Sequence, residues 1–478
     1  MKTKTFISTI LLIICSLLYG QNNKPDRLQG SWLGNIILPD NSSILIVMNF
    51  DVKDNLISGK TDVPAQSVKD LYIDSVWVSQ DSVFTDYAST LGPGTIYKGL
   101  ILPGDSVLDG KWFQGGGSFP LKLRPTTYVY IPVPKQSKLN PEFEGYKIIK
   151  LIKSTPIKDQ QETGLCWSFA TTSFIETEAI RLGKSSVILS PMFFVTPTYI
   201  DKAEKYIRMN GKSYFGPGDL TFSVMNAYKK YGAIPQLVYS GKKDSASRYD
   251  YRKMDHALLE KVKYYVNSGR GNMTTEGYRN DIKEILSGSM GKTPDTFMYR
   301  QKEYTPKSFA KEMIGINPDD YMEITSYSHH PFYSKFILEI ESNWNNNYYL
   351  NLPLNDLSNV VDSALINNYS VCWDGDIRDG YNNGFAVLED SIKTITQEIR
   401  QFAFDNYTTI DQHNMHIIGI AENSTGKRFY IVKNSSDYMD CGGYLYVSME
   451  YFLVKTISVM VNKSAVPSEI KAKVASAL

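Results

Sequence analysis

Two kinds of periodicity divide the chain. From Asp26 to about Arg124, apolar and polar residues alternate in short runs: Ser43 to Phe50, Ile57 to Thr61, Leu71 to Val78, Ser82 to Tyr87, Thr95 to Leu102 and Pro120 to Leu123. Asp-Asn, Asp-Ser, Gly-Pro-Gly and Gly-Asp turns separate them. A period of two puts successive side chains on opposite faces of a strand. Such runs at close spacing, with few helix signals between them, predict an all-β sandwich or small barrel over residues 26–127, with Trp32, Trp77 and Trp112 assigned to its core. The Gly115-Gly116-Gly117 run within it lacks the strand–loop–helix frame of a phosphate loop. Prolines at 132, 134 and 141 mark a linker over 128–145. Beyond it the period lengthens: Phe169, Ala170, Phe174, Ala179 and Ile180 recur at helical spacing on an amphipathic pattern that stops at Gly183, and Asp255 to Asn267 and Thr275 to Ser287 repeat the pattern. Strands return at Gln412 to Ile420 and Arg428 to Ser435. The expected architecture is therefore multidomain: an N-terminal β-rich domain, then an α+β domain over 146–462 with a helical lobe, an antiparallel β lobe and a helical insertion. Residues 463–478 would form a tail or arm.

The N-terminus departs from both patterns. Lys2 and Lys4 precede an apolar stretch from Phe6 to Leu18, followed by Gly20-Gln21, which reads as a secretory signal peptide over residues 1–20. A lipoprotein signal is disfavoured because Ile13 and Ile14, not small residues, precede Cys15. No later segment has spanning length, so the expectation is a periplasmic or secreted protein without stable membrane insertion. A formal net charge of +1 over 478 residues argues against a nucleic-acid partner. Removal of the signal leaves Cys166, Cys372 and Cys441. An odd number in an exported chain leaves at least one thiol free, and whether Cys372 and Cys441 pair is open.

The chemistry concentrates between Pro156 and Ala170. Cys166 follows a turn containing Gly164 and opens a predicted helix, where aligned peptide dipoles and unpaired N–H groups favour an anion, the nucleophilic thiolate. Nucleophilic catalysis by a thiolate also calls for an imidazole to hold and return a proton, and a group that sets the imidazole tautomer. Five histidines are available: His256, His329, His330, His413 and His416. His413 opens one strand and Asn434 ends the next, and a neutral Asn can accept an imidazole N–H.

These residues resemble the active-site segments of papain-like cysteine peptidases. In that family a Gln six residues before the nucleophile helps to form the oxyanion hole, which is Gln160 here, and a Trp follows the nucleophile, which is Trp167. A glycine stands six residues after the catalytic His, and Gly419 selects His413 over His416. The resemblance implies Cys166 as nucleophile, His413 as general acid/base, Asn434 as its orienting partner and Gln160 as oxyanion donor. It implies substrate contacts at Gly164, Trp167 and Gly218. Three departures stand out: Thr163 replaces a customary cysteine, Asp219 a customary glycine, and Ser436 the tryptophan that shields the Asn–His bond, for which Tyr438 is a candidate substitute. The interval from nucleophile to histidine exceeds the roughly 130 to 150 residues of the papain pattern by about a hundred. With Trp373-Asp374-Gly375-Asp376 ahead of the histidine, this looks like the bleomycin hydrolase and aminopeptidase C branch. In that branch the C-terminus blocks the cleft and the protein assembles, which implies aminopeptidase activity and a homo-oligomer. The N-terminal region resembles a lipocalin-like β-domain that accompanies some exported bacterial hydrolases.

No cofactor is implied and no metal is expected. His413 and His416 on one strand face opposite sides, no His-Glu-x-x-His or Cys-x-x-Cys is present, and His329-His330 lacks matching ligands. The expected function is an exported cysteine peptidase acting through a thioester on peptide substrates, with aminopeptidase cleavage first. An endopeptidase, or a catalytically silent peptide- or surface-binding protein, are the alternatives.

Overall fold

The computed structural model describes residues 25–39, 43–54, 56–64, 68–92, 94–128, 145–242, 248–268, 274–382, 384–388, 394–436 and 442–474. The expected signal peptide, and nearly all of the expected linker, lie outside them. The chain divides into two compact units, residues 1–135 with 300–302 and residues 136–299 with 303–478.

The first unit is one nine-stranded antiparallel sheet. Its first strand, Gly30–Ile37, pairs with both Ser43–Lys53 and the last strand, Gly117–Thr126, so the sheet rolls into a half-barrel. Gly34 permits that closure, because a Cβ there would lie 2.0 Å from the Lys122 carbonyl oxygen. The expected strand Leu71 to Val78 is two strands, Val68–Tyr72 and Ser75–Ser79. The break has a cause: the Ile73 N–H donates to Gly59 O, whereas the next N–H, of Asp74, donates to Asp86 O. The chain changes partner there, and its two sides become the two edges of the sheet. Trp32 and Trp112 are buried in the core with Tyr87, Tyr97, Leu108 and Leu123. Trp77 corrects the expectation. It is 45% exposed and stacks on Phe84 at 5.2 Å, because Val76 and Val78 on either side of it take the inward positions of the alternation.

The second unit joins a helical layer to an eleven-stranded sheet. The strand His413–Asn423 is long enough to use three partners: Val371–Gly375 along its first half, Tyr146–Leu151 along its second, and Arg428–Lys433 on the other side. Gly419 sits where two of these meet, and a Cβ there would lie 2.4 Å from the Lys150 carbonyl oxygen. Alternation sorts the faces. Met415 and Ile417 join Trp373, Val459 and Val461 in a core with the helix Leu354–Ile366. Residues of opposite parity, Cys372, Asn414 and His416, face the helix Cys166–Arg181: Thr171 lies beside Cys372 and Ser173 hydrogen-bonds His416.

That helix is not the amphipathic element its apolar spacing suggests. Fourteen of its sixteen residues are buried, and most of its polar side chains are hydrogen-bonded, Thr177 Oγ1 being an exception. Glu176 accepts from Lys158 Nζ at 2.6 Å, the Thr155 hydroxyl at 2.5 Å and the Leu189 N–H at 2.6 Å. Such partners are what make a buried carboxylate tolerable. Gly183, just past the end of the helix, takes the left-handed φ of +78° that a stop signal calls for. The helices Arg252–Asn267 and Thr275–Met290 occupy the stretch expected to be helical, followed by a short hairpin, Phe297–Tyr299 with Lys302–Tyr304, and by further edge strands of the large sheet. The tail is ordered at least to Val474. Val466, Ile470 and Val474 pack into the core beside the helix Leu354–Ile366, on the face of the sheet opposite Cys166, and residues 475–478 lie outside the described residues.

Candidate active site

Cys166 is the first residue of its helix, after the cap residue Leu165, so it stands among N–H groups that no helical carbonyl satisfies. The strand that begins at His413 passes this end of the helix. His413 Nε2 meets Asn434 Oδ1 at 2.7 Å. The Ser435 N–H donates to the same Asn434 oxygen at 2.8 Å, which fixes that atom as an acceptor and the His413 Nε2 as a proton carrier. The ring also lies within electrostatic reach of the Cys166 sulfur. Burial would lower the pKa of His413, but Cys166, joined by Asn434, outweighs it and leaves the pKa raised.

Gln160 closes the other side. Its N–H donates to Ser435 O at 2.8 Å, its Oε1 accepts from the Ser435 hydroxyl, and its Nε2 donates to Thr163 O at 2.7 Å. One amide hydrogen of Nε2 is left for another acceptor. Four of the residues singled out from the sequence are thus brought to one place: Gln160, Cys166, His413 and Asn434. Asn434 is buried although Ser436 replaces the customary tryptophan, and Tyr438 lies outside the described residues.

The three residues expected to touch substrate fall differently. Gly164 is exposed, and a Cβ there would press on Pro217 at 3.1 Å. Gly218 is half-exposed on the loop Gly216 to Asp219. Trp167 is fully buried, so it offers no face to a substrate; its Nε1 donates to Pro217 O at 2.9 Å and holds that same loop. The loop has a second anchor that sequence reasoning missed. Lys202, on the helix Pro191–Arg208, pairs with Asp219 at 2.9 Å and donates to Gly216 O and Gly218 O, with both side chains buried. Asp219 also accepts from Trp344 Nε1, the Ser223 hydroxyl and the Leu220 N–H. The replaced glycine was the available signal, since a buried aspartate needs a partner.

The remaining cysteine and histidines serve other surroundings. Cys372 is a free, buried thiol whose pKa burial raises to about 12, and Cys441 lies outside the described residues. His416 meets the Ser173 hydroxyl through Nδ1 at 3.0 Å; burial, then Lys433 and Lys158, push its pKa well below the ordinary value. It therefore does not converge with His413. His256 is exposed on the helix Arg252–Asn267. His329 and His330, for which the sequence offers no third ligand, both meet Glu339, at 3.1 Å and 2.6 Å. Gln401 decides what this trio can do. Its Oε1 accepts from the Ser328 N–H and its Nε2 donates to Asp405, so the amide donates to His329 Nδ1 at 3.0 Å. Neutral His329 must then carry its proton on Nε2, toward Glu339, which takes that nitrogen out of metal ligation.

The profile of the Peptidase C1-like family matches residues 221–477, more than half of the chain and including His413 and Asn434, while Cys166 and Gln160 precede the match. Among curated proteins none matches the sequence. Of solved structures, PepW from Lactobacillus rhamnosis HN001 superposes with a TM-score of 0.56 at 17% identity, covering 69% of this chain and 85% of that one. Bromelain protease from Ananas comosus matches at 15% identity over 64% of this chain and 92% of that one, with a TM-score of 0.31.

Proposed function

The chain belongs to the Peptidase C1-like family and is a cysteine peptidase, and from that premise we propose that Cys166, His413, Asn434 and Gln160 carry out the cleavage, in an exported aminopeptidase. The observation that carries the reading is the His413 ring, held by Asn434 Oδ1 at 2.7 Å within electrostatic reach of Cys166 at the start of its helix. The Cys166 thiolate attacks the scissile carbonyl carbon. His413, which holds the thiol proton, gives it to the leaving amine, and a thioester remains. His413 then takes a proton from water, whose oxygen attacks the thioester, and returns it to the sulfur. Asn434 keeps the ring turned so that one nitrogen faces the sulfur throughout. The spare Gln160 amide hydrogen and the Cys166 N–H stabilise the charge that develops on the carbonyl oxygen.

Removal of residues from a free N-terminus rests on the branch resemblance of the catalytic segments and not on a C-terminal arm, since the tail to Val474 packs on the face opposite Cys166. Export through a signal over residues 1–20 rests on the N-terminal pattern. The deciding experiment offers free-amino and N-acetylated versions of one fluorogenic peptide to the reduced mature protein. Cleavage of the free-amino form alone is expected, with hydrolysis and thiol alkylation at position 166 both lost in Cys166→Ala. Equal cleavage of both forms makes the protein an endopeptidase, and hydrolysis retained by Cys166→Ala removes the central assignment.

A further inference from the structure

Beside the nucleophile lies an excess of buried carboxyls with too few cations. Asp374 stands on the strand Val371–Gly375, one register position from the pair Gly375–His413 and opposite Asn414. It is 1% exposed, and Asn414 Nδ2 reaches its Oδ1 at 3.5 Å. Its Oδ2 meets no donor among the described residues. Within electrostatic reach of that carboxyl lies another acid, Asp411, two residues ahead of His413 and half-exposed. The Ser342 hydroxyl supplies one donor to Asp411. The Tyr349 hydroxyl, also buried without a partner among the described residues, lies within electrostatic reach of both acids. The nearby ammonium of Lys202 is committed to Asp219 and to two loop carbonyls. Among the described residues, neither Asp374 nor Asp411 has an ion-pair partner.

An orphaned acceptor at such depth costs free energy unless something brings it a donor. We propose that Asp374 and Asp411 form a subsite for a cationic amine on the acyl side of the bond cut at Cys166, namely the free N-terminal ammonium or a basic side chain of the peptide. The placement supports this directly. Asn414 bridges the two features, since its Nδ2 also reaches the Asp219 carbonyl at 3.5 Å, at the end of the loop that carries Gly218. Asp374 therefore lies between the loop that carries Gly218 and the strand that His413 opens. Burial, then Asp411, holds the Asp374 carboxyl well above the ordinary carboxylate range, and burial raises Asp411 as well. Both shifts show that a second negative charge is disfavoured there unless a cation offsets it. An entering ammonium offsets it and supplies the donors that Asp374 Oδ2 lacks. The subsite deepens the peptidase reading of the same cleft and rests on it.

The test compares three coumarin amides: alanyl, with a free amine; Nα-acetyl-lysyl-alanyl, with only a basic side chain; and Nα-acetyl-norleucyl-alanyl, with neither. One of the first two should exceed the third in kcat/KM by about tenfold or more, the scale of one hydrogen bond to a charged group, and which one it is identifies the source of the amine. Asp374→Asn and Asp411→Asn should each pull that ratio toward one; Asp411, at the half-exposed margin, serves if the buried variant does not fold. Equal kcat/KM for the three substrates, or a preference that survives both variants, overturns the subsite. If none is turned over, the same order is read as protection of Cys166 from iodoacetamide by alaninamide or Nα-acetyl-lysinamide against Nα-acetylnorleucinamide. Protection by the cations alone upholds the subsite and counts against peptidase turnover; equal or absent protection overturns the subsite.

Discussion

Lys202→Met should destabilise the second unit more than any surface ion-pair deletion, and the structure supplies the size. The substitution keeps the aliphatic stem and removes an ammonium that is 2.9 Å from Asp219 and donates to two carbonyls of the Gly216 to Asp219 loop. Both partners are buried, so neither water nor salt replaces the lost charge. Breaking a buried pair from one side costs about 3–5 kcal/mol, because the remaining charge stays desolvated. Asp219 keeps three donors, Trp344 Nε1 at 3.0 Å, the Ser223 hydroxyl at 2.5 Å and the Leu220 N–H at 2.7 Å, which places the loss toward the lower end, about 3 kcal/mol. For a domain of this size that lowers Tm by about 4 °C, measured by calorimetry. The double variant Lys202→Met/Asp219→Asn removes the orphaned charge as well and should recover about half of the loss. Because the loop carries Gly218, KM for peptides should rise more than kcat falls. A loss below about 1 kcal/mol in the single variant, or a double variant no more stable than it, would refute the reasoning.

Asn434→Ala removes the 2.7 Å hydrogen bond to His413 while leaving Cys166 in place. Steady-state kinetics should show kcat lower by about tenfold to a hundredfold with KM little changed, the loss expected for one hydrogen bond that orients a charged ring. Since Cys166 and then Asn434 raise the pKa of His413, activity of the native enzyme should persist above pH 6.5, and its alkaline limb should move to lower pH in Asn434→Ala. Burial pushes the Glu323 carboxyl up to about 8, against a smaller pull from Ser458. Between its ordinary value of 4.5 and about 8 the folded chain holds a proton that the unfolded chain has released, so this group's contribution to stability declines as pH rises through that window. Urea titrations of Glu323→Gln should show a shallower decline than the native protein, with a difference of a few kcal/mol by pH 8; parallel pH profiles would contradict the assignment.

Much of the candidate site was legible because its signals are local. A glycine-bearing turn before a cysteine, a helical period after it, and an alternating run opened by His413 each depend on neighbours in sequence, and backbone geometry makes such patterns nearly self-sufficient. Gly419 marked His413 for a reason that is equally local in the chain but visible only in space: no Cβ fits beside Lys150. The errors share a cause. Trp77 looked like core because tryptophan usually is, and only its place between Val76 and Val78 on one strand turned it outward. The helix at Cys166 looked amphipathic because its apolar residues recur at helical spacing, but Glu176 and Glu178 are buried as well, and their partners, Lys158 and Thr155 for one and Arg181 and Tyr321 for the other, include residues too far away in the chain for periodicity to register.

The sequence by itself determined the reacting types and the order in which they arrive: a thiol at a helix start, an imidazole opening a strand, an amide closing the next. Tertiary structure alone decided which charges surround them. Asp374 lies beside the site because Gly375 pairs with His413; a slip of one residue would turn the Asp374 carboxyl to the opposite face, among Val459, Met415 and Trp373. Lys202, Asp219, Asp374 and Asp411 come from a helix, a loop, a strand and the approach to another strand. Nothing in their spacing distinguishes them from surface charges. Sheet register and helix packing, set by the whole hydrophobic core, bring them together and take them out of water.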